Sequence, residues 1–129
     1  MGLSSYEVRA SIAVSDMARA DEFYEGKLGL AAREGQPDQS RVYACGGGSS
    51  LHVYASPAHA GKATATLASW SVPDLEAVVE ELRSRGVAFA QYDEPATDAN
   101  GIHTYGDHKV GWFKDPDGNT FAVDNGLPY

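Results

Sequence analysis

The sequence predicts an α+β protein built from two modules that share the order strand, helix, strand, strand, strand. The main observation is an internal repeat, because Val14-Ser15-Asp16-Met17 recurs as Val72-Pro73-Asp74-Leu75. Each copy follows an apolar, strand-like run and opens a helix-like one. The length of 129 residues suits one domain of about 100–150 residues. We therefore predict a single domain, 1–129, with module one at about 5–56 and module two at about 64–126.

Two amphipathic segments predict the helices. The clearer one has an apolar stripe at helical spacing through residues 75–82. Ser71 can cap its start, Asp74 favours the positive helix end, and Gly86 fits a C-terminal stop. The other helix is predicted over Asp16–Lys27, where it buries Met17 and neighbouring apolar residues.

Eight further segments have the composition and alternation of strands. The sequence at 115–119, Asp-Pro-Asp-Gly-Asn, is typical of a hairpin turn. Counting back from that turn pairs Phe113 with Phe121 and Trp112 with Ala122, and directly opposed residues share a face. The predicted strands are Glu7–Val14, Leu30–Glu34, Arg41–Cys45, Ser50–Ala55, Thr66–Val72, Ala88–Tyr92, Lys109–Lys114 and Asn119–Asp124.

Alternation along these strands separates two faces. One is entirely apolar and includes Trp70 and Phe113, so we expect it to pack under the helices. The other is mostly polar and includes Trp112. A curved sheet of eight strands would wrap this polar face around a ligand cavity. Its members are Arg9, Ser11, Ala13, Ser50, His52, Tyr54, Leu67, Ser69, Ser71, Thr120, Ala122 and Asp124.

Charge and composition exclude several classes of protein. The net charge is −8 with no cluster of Lys or Arg, which argues against a nucleic-acid partner. No run approaches the roughly 18 apolar residues of a membrane span, and the N-terminus lacks a secretion signal, so a cytoplasmic protein is expected. Cys45 is the only cysteine, which excludes an intramolecular disulfide and a cysteine-based zinc site.

The chain resembles the vicinal-oxygen-chelate superfamily, which includes glyoxalase I, bleomycin-resistance proteins and extradiol dioxygenases. The matching motifs are Val14-Ser15-Asp16 with Phe23-Tyr24 and Leu28-Gly29-Leu30, the run Val72–Leu75, and the run Trp112–Asn119. The resemblance implies paired βαβββ modules that form a curved, cup-shaped, mixed eight-stranded sheet with helices on its outer face. It also implies a homodimer. The fold alone says little about activity, since it hosts many chemistries.

Metal-dependent members of that superfamily hold their metal at four corners, two on the first strands and two on the last strands of the modules. Carried over to this chain, the four positions are Arg9, His52, Leu67 and Ala122. Only His52 can coordinate a metal at neutral pH, whereas a catalytic metal needs about three suitable ligands. We therefore expect no metal and no cofactor. A replacement site made from His52, His103 and His108 stays open.

The segment Glu94–Asp107 is predicted to be a long loop, which is usually functional or mobile. His103 and Tyr105 then either belong to a lid over the ligand or to a polar surface loop. Arg9 has two interpretations as well: it pairs with an anionic or aromatic ligand group, or it forms an internal ion pair with a carboxylate such as Asp124.

The predicted function is metal-independent binding of a small molecule, in the manner of bleomycin-resistance proteins, by sequestering an antibiotic or an aromatic metabolite. The alternative is a glyoxalase- or dioxygenase-like enzyme with an atypical metal site or metal-free acid–base chemistry. A third interpretation is an interaction module without a ligand. No catalytic residue is assigned, and His52 is either a general base or a hydrogen-bonded cavity residue. The predicted ligand-binding residues are Arg9, His52, Tyr54, Ser69, His103, Tyr105 and Trp112.

Overall fold

Each half of the chain folds into the βαβββ module that the repeat predicts. The computed structural model describes residues 2–126 and divides into unit 1, Met1–Gly61, and unit 2, Lys62–Tyr129. Each unit has one mixed four-stranded sheet. Unit 1 contains short 3₁₀ turns at Gly2–Ser5 and Gly46–Gly48, β1 (Ala10–Val14), α1 (Met17–Asp21), a π-helical segment (Glu22–Lys27), β2 (Ala31–Ala32), β3 (Ser40–Ala44) and β4 (Ser50–Ala55). Unit 2 contains β5 (Thr66–Ser71), α2 (Leu75–Ser84), β6 (Ile102–Tyr105), β7 (His108–Lys114) and β8 (Thr120–Asp124).

The sheet of unit 1 has the strand order β1-β4-β3-β2. Strands β1 and β4 are parallel, and the other neighbours are antiparallel. Alternate residues of the two parallel strands, Ile12, Val14, Leu51 and Val53, are at most 2% exposed. Burying each such side chain stabilises the fold by about 1.5–3 kcal/mol. This is the apolar face that alternation predicts.

The first helix is capped by Asp16, whose Oδ1 accepts hydrogen bonds from the backbone N–H groups of Ala18 and Arg19 at 2.8 and 3.3 Å. This confirms its predicted structural role. From Glu22 the helix widens to π-helical turns, as the bond from Leu28 N–H to the Phe23 carbonyl shows. The wider turn lets two successive aromatic residues, Phe23 and Tyr24, both be buried.

Tyr43 on β3 is fully buried beneath this helix and stacks on Tyr24 with ring centroids 5.9 Å apart. Its hydroxyl donates to Asp21 and Glu25 at 3.4 and 3.3 Å. Asp21 also accepts two bonds from Arg41, which neutralises part of the local negative charge. Burial, reinforced by the negative charges of Glu25 and Asp21, raises the pKa of Tyr43 far above its ordinary value.

The sheet of unit 2 has the order β5-β8-β7-β6, again with one parallel pair, β5 and β8. α2 contacts β7 and β8, and its buried Leu75 and Val79 face the same core as Phe113 and Phe121. Trp70 lies on this apolar face as predicted: its half-buried ring stacks on Phe113 with centroids 6.3 Å apart.

The cap of α2 corrects one sequence expectation. Asp74, not Ser71, is the capping residue, since its Oδ1 accepts from Ala77 N–H at 3.2 Å. The Ser71 hydroxyl instead donates to Asp124 Oδ1 at 2.7 Å. Ser71 is the last residue of β5, so its side chain faces the neighbouring strand β8 and not the helix.

The β7–β8 hairpin has the predicted register. Trp112 lies opposite Ala122 and Phe113 opposite Phe121. In the turn, Asp115 Oδ1 accepts from the N–H groups of residues 117 and 119, and its Oδ2 accepts from Asn119 Nδ2, each at 2.9 Å. These bonds account for the turn sequence without any catalytic role.

The strand predicted at Ala88–Tyr92 is wrong, and β6 lies instead at Ile102–Tyr105, inside the predicted loop Glu94–Asp107. From the predicted strand, Phe89 forms a single β-bridge with Phe113, and Ala90 N–H donates to the Trp112 carbonyl, both near the C-terminal end of β7. Beyond this bridge the segment does not continue along β7, and the Phe89 side chain occupies the space next to Gly101 and Gly111, against the β6–β7 pair.

A β-bulge interrupts the alternation of β5. Thr66 lies opposite Thr120, but Ala68 already lies opposite Phe121, so Leu67 is an extra residue in the pairing. Thr66 and Ser69 therefore share a face, although they are three residues apart. Strict alternation, from which Leu67 is predicted to lie on the polar face, therefore does not hold at this residue.

Candidate functional site

The polar face of the unit 2 sheet forms one wall of an open cavity of about 390 Å³. Four of the predicted ligand-binding residues line it: Ser69, His103, Tyr105 and Trp112. The full lining is Thr66, Ser69, His103, Tyr105, His108, Lys109, Val110, Trp112, Ala122, Asp124 and Gly126.

Strand register brings these residues together. Ser69, Ala122 and Trp112 form a row across β5, β8 and β7, because Ala122 lies opposite both of the others. A second row runs from His103 through Val110 to Asp124. Since opposed residues share a face, both rows point to the same side of the sheet. The cavity wall thus follows from the pairing of four strands.

The Trp112 indole is fixed from two sides. His103 stacks on it with ring centroids 6.3 Å apart and an angle of 30°. Tyr92 meets it edge-on at 5.6 Å. Such aromatic pairs hold the ring in one orientation. Trp112 therefore presents a pre-organised aromatic surface to the cavity.

His103 and Tyr105 lie on the edge strand β6, so the prediction that they belong to a loop or lid is wrong. His103 is half-buried, and its Nδ1 lies 2.7 Å from the Ala96 carbonyl oxygen. Tyr105 is 71% exposed, which places it at the rim. Whether either residue contacts a ligand stays a prediction.

Asp124 supplies a buried carboxylate to the cavity lining and is only 3% exposed. Its Oδ1 accepts from the Ser71 hydroxyl at 2.7 Å and from Gly126 N–H at 3.0 Å. Sequence reasoning placed Asp124 on this face but did not select it as a ligand contact. Thr66 was missed altogether, because nothing in the sequence signals the bulge that turns it toward the cavity.

The other three predicted residues, Arg9, His52 and Tyr54, lie on the polar face of the unit 1 sheet. The His52 ring is hydrogen-bonded at both nitrogens: Nδ1 to Ser11 Oγ at 3.4 Å and Nε2 to Ser40 Oγ at 2.8 Å. It also stacks on Tyr54 with centroids 5.2 Å apart. The Arg9 guanidinium, exposed to solvent, donates from Nε to Ser50 Oγ at 3.3 Å.

The predicted aromatic contacts Tyr54 and Trp112 have similar surroundings within their own units. Each ring is already stacked on a histidine of its own unit, Tyr54 on His52 and Trp112 on His103. Each of these aromatic rings therefore has one histidine neighbour that a stacking ligand has to share or displace.

The residues at the four corner positions do not fit a metal ion. In unit 1 they are Arg9, a fixed cation, and His52, whose two nitrogens both have hydroxyl partners. In unit 2 they are Leu67 at the bulge and Ala122, and neither has a donor atom in its side chain. Among residues 2–126, no three His, Cys, Asp or Glu side chains are grouped so that they could hold a metal.

Comparison with known protein families gives one match. The model of the Glyoxalase/Bleomycin resistance protein/Dioxygenase superfamily matches residues 8–123. The chain belongs to this superfamily. The two modules, their strand orders and the motif positions in this chain are those of a superfamily member. None of the helices within residues 2–126 has the length and apolar character that crossing a membrane requires.

Solved structures of other proteins share the fold of this chain. A glyoxalase/bleomycin resistance protein from Catenulispora acidiphila DSM 44928 is 28% identical, with a TM-score of 0.71 over 92% of this chain and 96% of that chain. TnmS3, an antibiotic binding protein from Streptomyces sp. CB03234, is 25% identical, with a TM-score of 0.70 over 96% and 97% of the two chains.

A structure of lower sequence identity, the bleomycin resistance determinant encoded on transposon Tn5, is 19% identical, with a TM-score of 0.70 over 95% of this chain and 99% of that chain. At that identity the likeness concerns the fold alone. No protein with a curated description matches this sequence.

Proposed function

We propose that this chain binds a small aromatic or amphipathic molecule without a metal ion and protects its host by sequestering an antibiotic or metabolite. The observation that carries the proposal is the unit 2 cavity, in which a fixed Trp112 indole lies beside polar groups. Cavities that combine aromatic walls with a few placed polar groups are typical of small-molecule sites. The 25% identical antibiotic binding protein TnmS3 supports the same function.

Sequestration needs no reaction. A protein that binds a toxic molecule lowers its free concentration by mass action, provided that the protein is abundant and the affinity is high. The proposed contacts in unit 2 are Trp112, His103 and Tyr105 for aromatic groups and Ser69 for a polar one. In unit 1 the proposed contacts are Arg9, His52 and Tyr54, on the polar face of that sheet.

Metal independence is supported by the corner residues, which include one side chain able to coordinate a metal. Metal independence is tested by measuring the metal content of untagged protein before and after incubation with nickel, zinc, manganese and ferrous iron. We expect far less than one metal ion per chain. A ratio near one after dialysis would favour the alternative, a glyoxalase- or dioxygenase-like enzyme with an atypical site. Loss of that metal in His52→Gln would then locate it.

Binding itself is tested with tryptophan fluorescence, for which the chain offers a matched pair of variants. Its two tryptophans are the half-buried Trp70, which packs on Phe113 and Phe121, and Trp112 in the cavity wall. Trp70→Phe keeps only the cavity reporter, and Trp112→Phe keeps only the reporter on the opposite face of the sheet. In a screen of antibiotics and aromatic metabolites, we expect a bound molecule to change the emission of the first variant and not of the second.

A molecule found in this way is then titrated against Trp112→Ala. We expect the affinity to fall at least about tenfold, or about 1.4 kcal/mol, because a central aromatic contact is lost. An unchanged affinity in Trp112→Ala would show that the cavity is not the binding site. The proposal also includes a homodimer and a cytoplasmic location, which sedimentation equilibrium and cell fractionation test.

A further inference from the structure

We propose that the polar face of unit 1 recognises an oxyanion, a carboxylate, sulfonate or phosphate group, through Arg9 and the hydroxyls around His52. The inference rests on the proposed function, since it names the chemistry of one group of the bound molecule. It concerns only the sheet face of unit 1.

Strand pairing places the relevant side chains next to one another. Ser11 lies opposite His52 on the parallel strands β1 and β4, and Arg9 and Ser50 precede them by two residues each. Residues two apart on a strand point to the same face. The Arg9–Ser50 hydrogen bond shows that the first pair is adjacent as well. The result is a patch of four neighbouring polar side chains.

Arg9 brings a positive charge that the protein itself does not neutralise. Among residues 2–126, Ser50 Oγ is the one hydrogen-bond partner of its guanidinium, and no carboxylate lies within ion-pair distance. Glu7, two residues earlier, has its Oε1 beside Gly48 in the β3–β4 turn. Both Nη atoms of Arg9 are therefore available for the paired hydrogen bonds that a guanidinium makes to an oxyanion.

The hydroxyls around His52 supply a second group that can bind an oxyanion. The two ring nitrogens lie 3.4 Å from Ser11 Oγ and 2.8 Å from Ser40 Oγ. A neutral imidazole donates from one nitrogen and accepts at the other, so one of the two serines keeps its O–H free to donate. A bound oxyanion would accept from that hydroxyl as well as from Arg9.

The charge balance of this face contrasts with that of the chain. The protein carries a net charge of −8, yet the residues of β1, β3 and β4 that share the face of His52 include no carboxylate. Their side chains are Ser11, Ala13, Ser40, Val42, Ala44, Ser50, His52 and Tyr54. The carboxylate of Glu7 lies beyond Arg9, with its Oε1 next to Gly48, so the part of the face that favours an anion is the stretch from Arg9 to His52. Within residues 2–126 no carboxylate is paired with Arg9 there, and a cationic group would be repelled by its charge.

The test compares three probes that share a naphthalene ring and carry an anionic, a neutral or a cationic polar group: naphthoate, naphthamide and naphthylmethylammonium. Their binding to the full chain is followed by calorimetry and by NMR of the Arg9 Nε–H and His52 ring signals. We expect naphthoate to shift both signals and to bind at least about tenfold more tightly than naphthamide. Naphthylmethylammonium should leave both signals unchanged.

Arg9→Gln removes the charge, and Arg19→Gln, at an exposed position of helix α1 in the same unit, is the matched control. We expect Arg9→Gln to abolish the preference for naphthoate and Arg19→Gln to keep it. Naphthoate that shifts neither signal, or equal affinities for naphthoate and naphthamide, would overturn the inference. The proposed function would survive that result if the ligand screen still reports binding at Trp112, so the two failures can be told apart.

Discussion

His103 Nδ1 lies 2.7 Å from the carbonyl oxygen of Ala96, which joins strand β6 to the loop before it. A carbonyl oxygen only accepts hydrogen bonds, so Nδ1 carries the proton and Nε2 of the neutral ring keeps a lone pair. The same ring stacks on Trp112. The backbone of the loop therefore fixes both the orientation and the tautomer of a histidine in the cavity wall.

The tautomer of His103 is the first prediction. Long-range nitrogen–proton NMR spectra at neutral pH should show the proton on Nδ1. His103→Asn should preserve the bond to Ala96, because its amide nitrogen occupies a position similar to that of Nδ1, whereas His103→Leu removes it. We expect the near-ultraviolet circular dichroism of Trp112 to change in the leucine variant and to stay closer to wild type in the asparagine variant. A proton found on Nε2 would contradict this geometry.

Gly101 and Gly106 provide a matched pair for stability. Both have positive φ, +85° and +59°, so a Cβ at either position costs about 1 kcal/mol of backbone strain. At Gly101 the Cβ would also lie 2.7 Å from Phe89 Cβ and 3.0 Å from the Ala90 carbonyl oxygen, whereas nothing lies within 4 Å at Gly106.

We therefore expect Gly101→Ala to lower the free energy of unfolding by roughly 1–3 kcal/mol more than Gly106→Ala. Urea unfolding of the two variants measures the difference. Equal destabilisation would mean that Phe89 does not occupy the space beside Gly101.

Tyr43 predicts a loss of stability in alkaline solution. Its pKa is raised in the folded chain by burial and by the carboxylates of Glu25 and Asp21, so the unfolded chain releases the phenolic proton first. The contribution is complete below the ordinary tyrosine pKa of about 10 and falls by about 1.4 kcal/mol per pH unit above it.

Tyr43→Phe should remove this part of the pH dependence of the unfolding free energy. It should also cost about 1 kcal/mol at neutral pH through the lost hydrogen bonds. Tyr6→Phe, at a residue that is 72% exposed, is the control and should keep the alkaline loss. An alkaline slope that is the same in Tyr43→Phe and wild type would show that another group titrates.

Local chemistry made part of the fold predictable. The turn at 115–119 fixed the register of the last hairpin, so the opposite faces of Trp112 and Phe113 followed by counting. Asp16 and Asp74 were identifiable as structural because an aspartate before an apolar helical stripe is a common cap. In these cases the residues that determine the structure are adjacent in the chain.

The misplaced strand and the bulge depend on contacts between distant residues. The segment at 88–92 alternates like a strand, but its Phe89 side chain occupies the space next to Gly101 and Gly111. The extra residue at Leu67 is visible only against its partner strand β8. The position of Trp112 was predictable because it depends on the register of a hairpin between neighbouring strands. The position of Thr66 was not, because it depends on a bulge in the pairing of β5 with β8, which are distant in the sequence.

The bulge at Leu67 has a consequence for how superfamily members are aligned with one another. A relative that lacks the additional residue would pair its β5 and β8 without a bulge. If its sequence were aligned with this chain without a gap, the residues on one side of Leu67 would be matched one position out of register. An alignment column that contains Leu67 would then group side chains from opposite faces of a sheet. Equivalent site residues near the start of β5 are therefore best found by superposing the structures. A one-residue insertion or deletion at this point would change which side chains line the cavity.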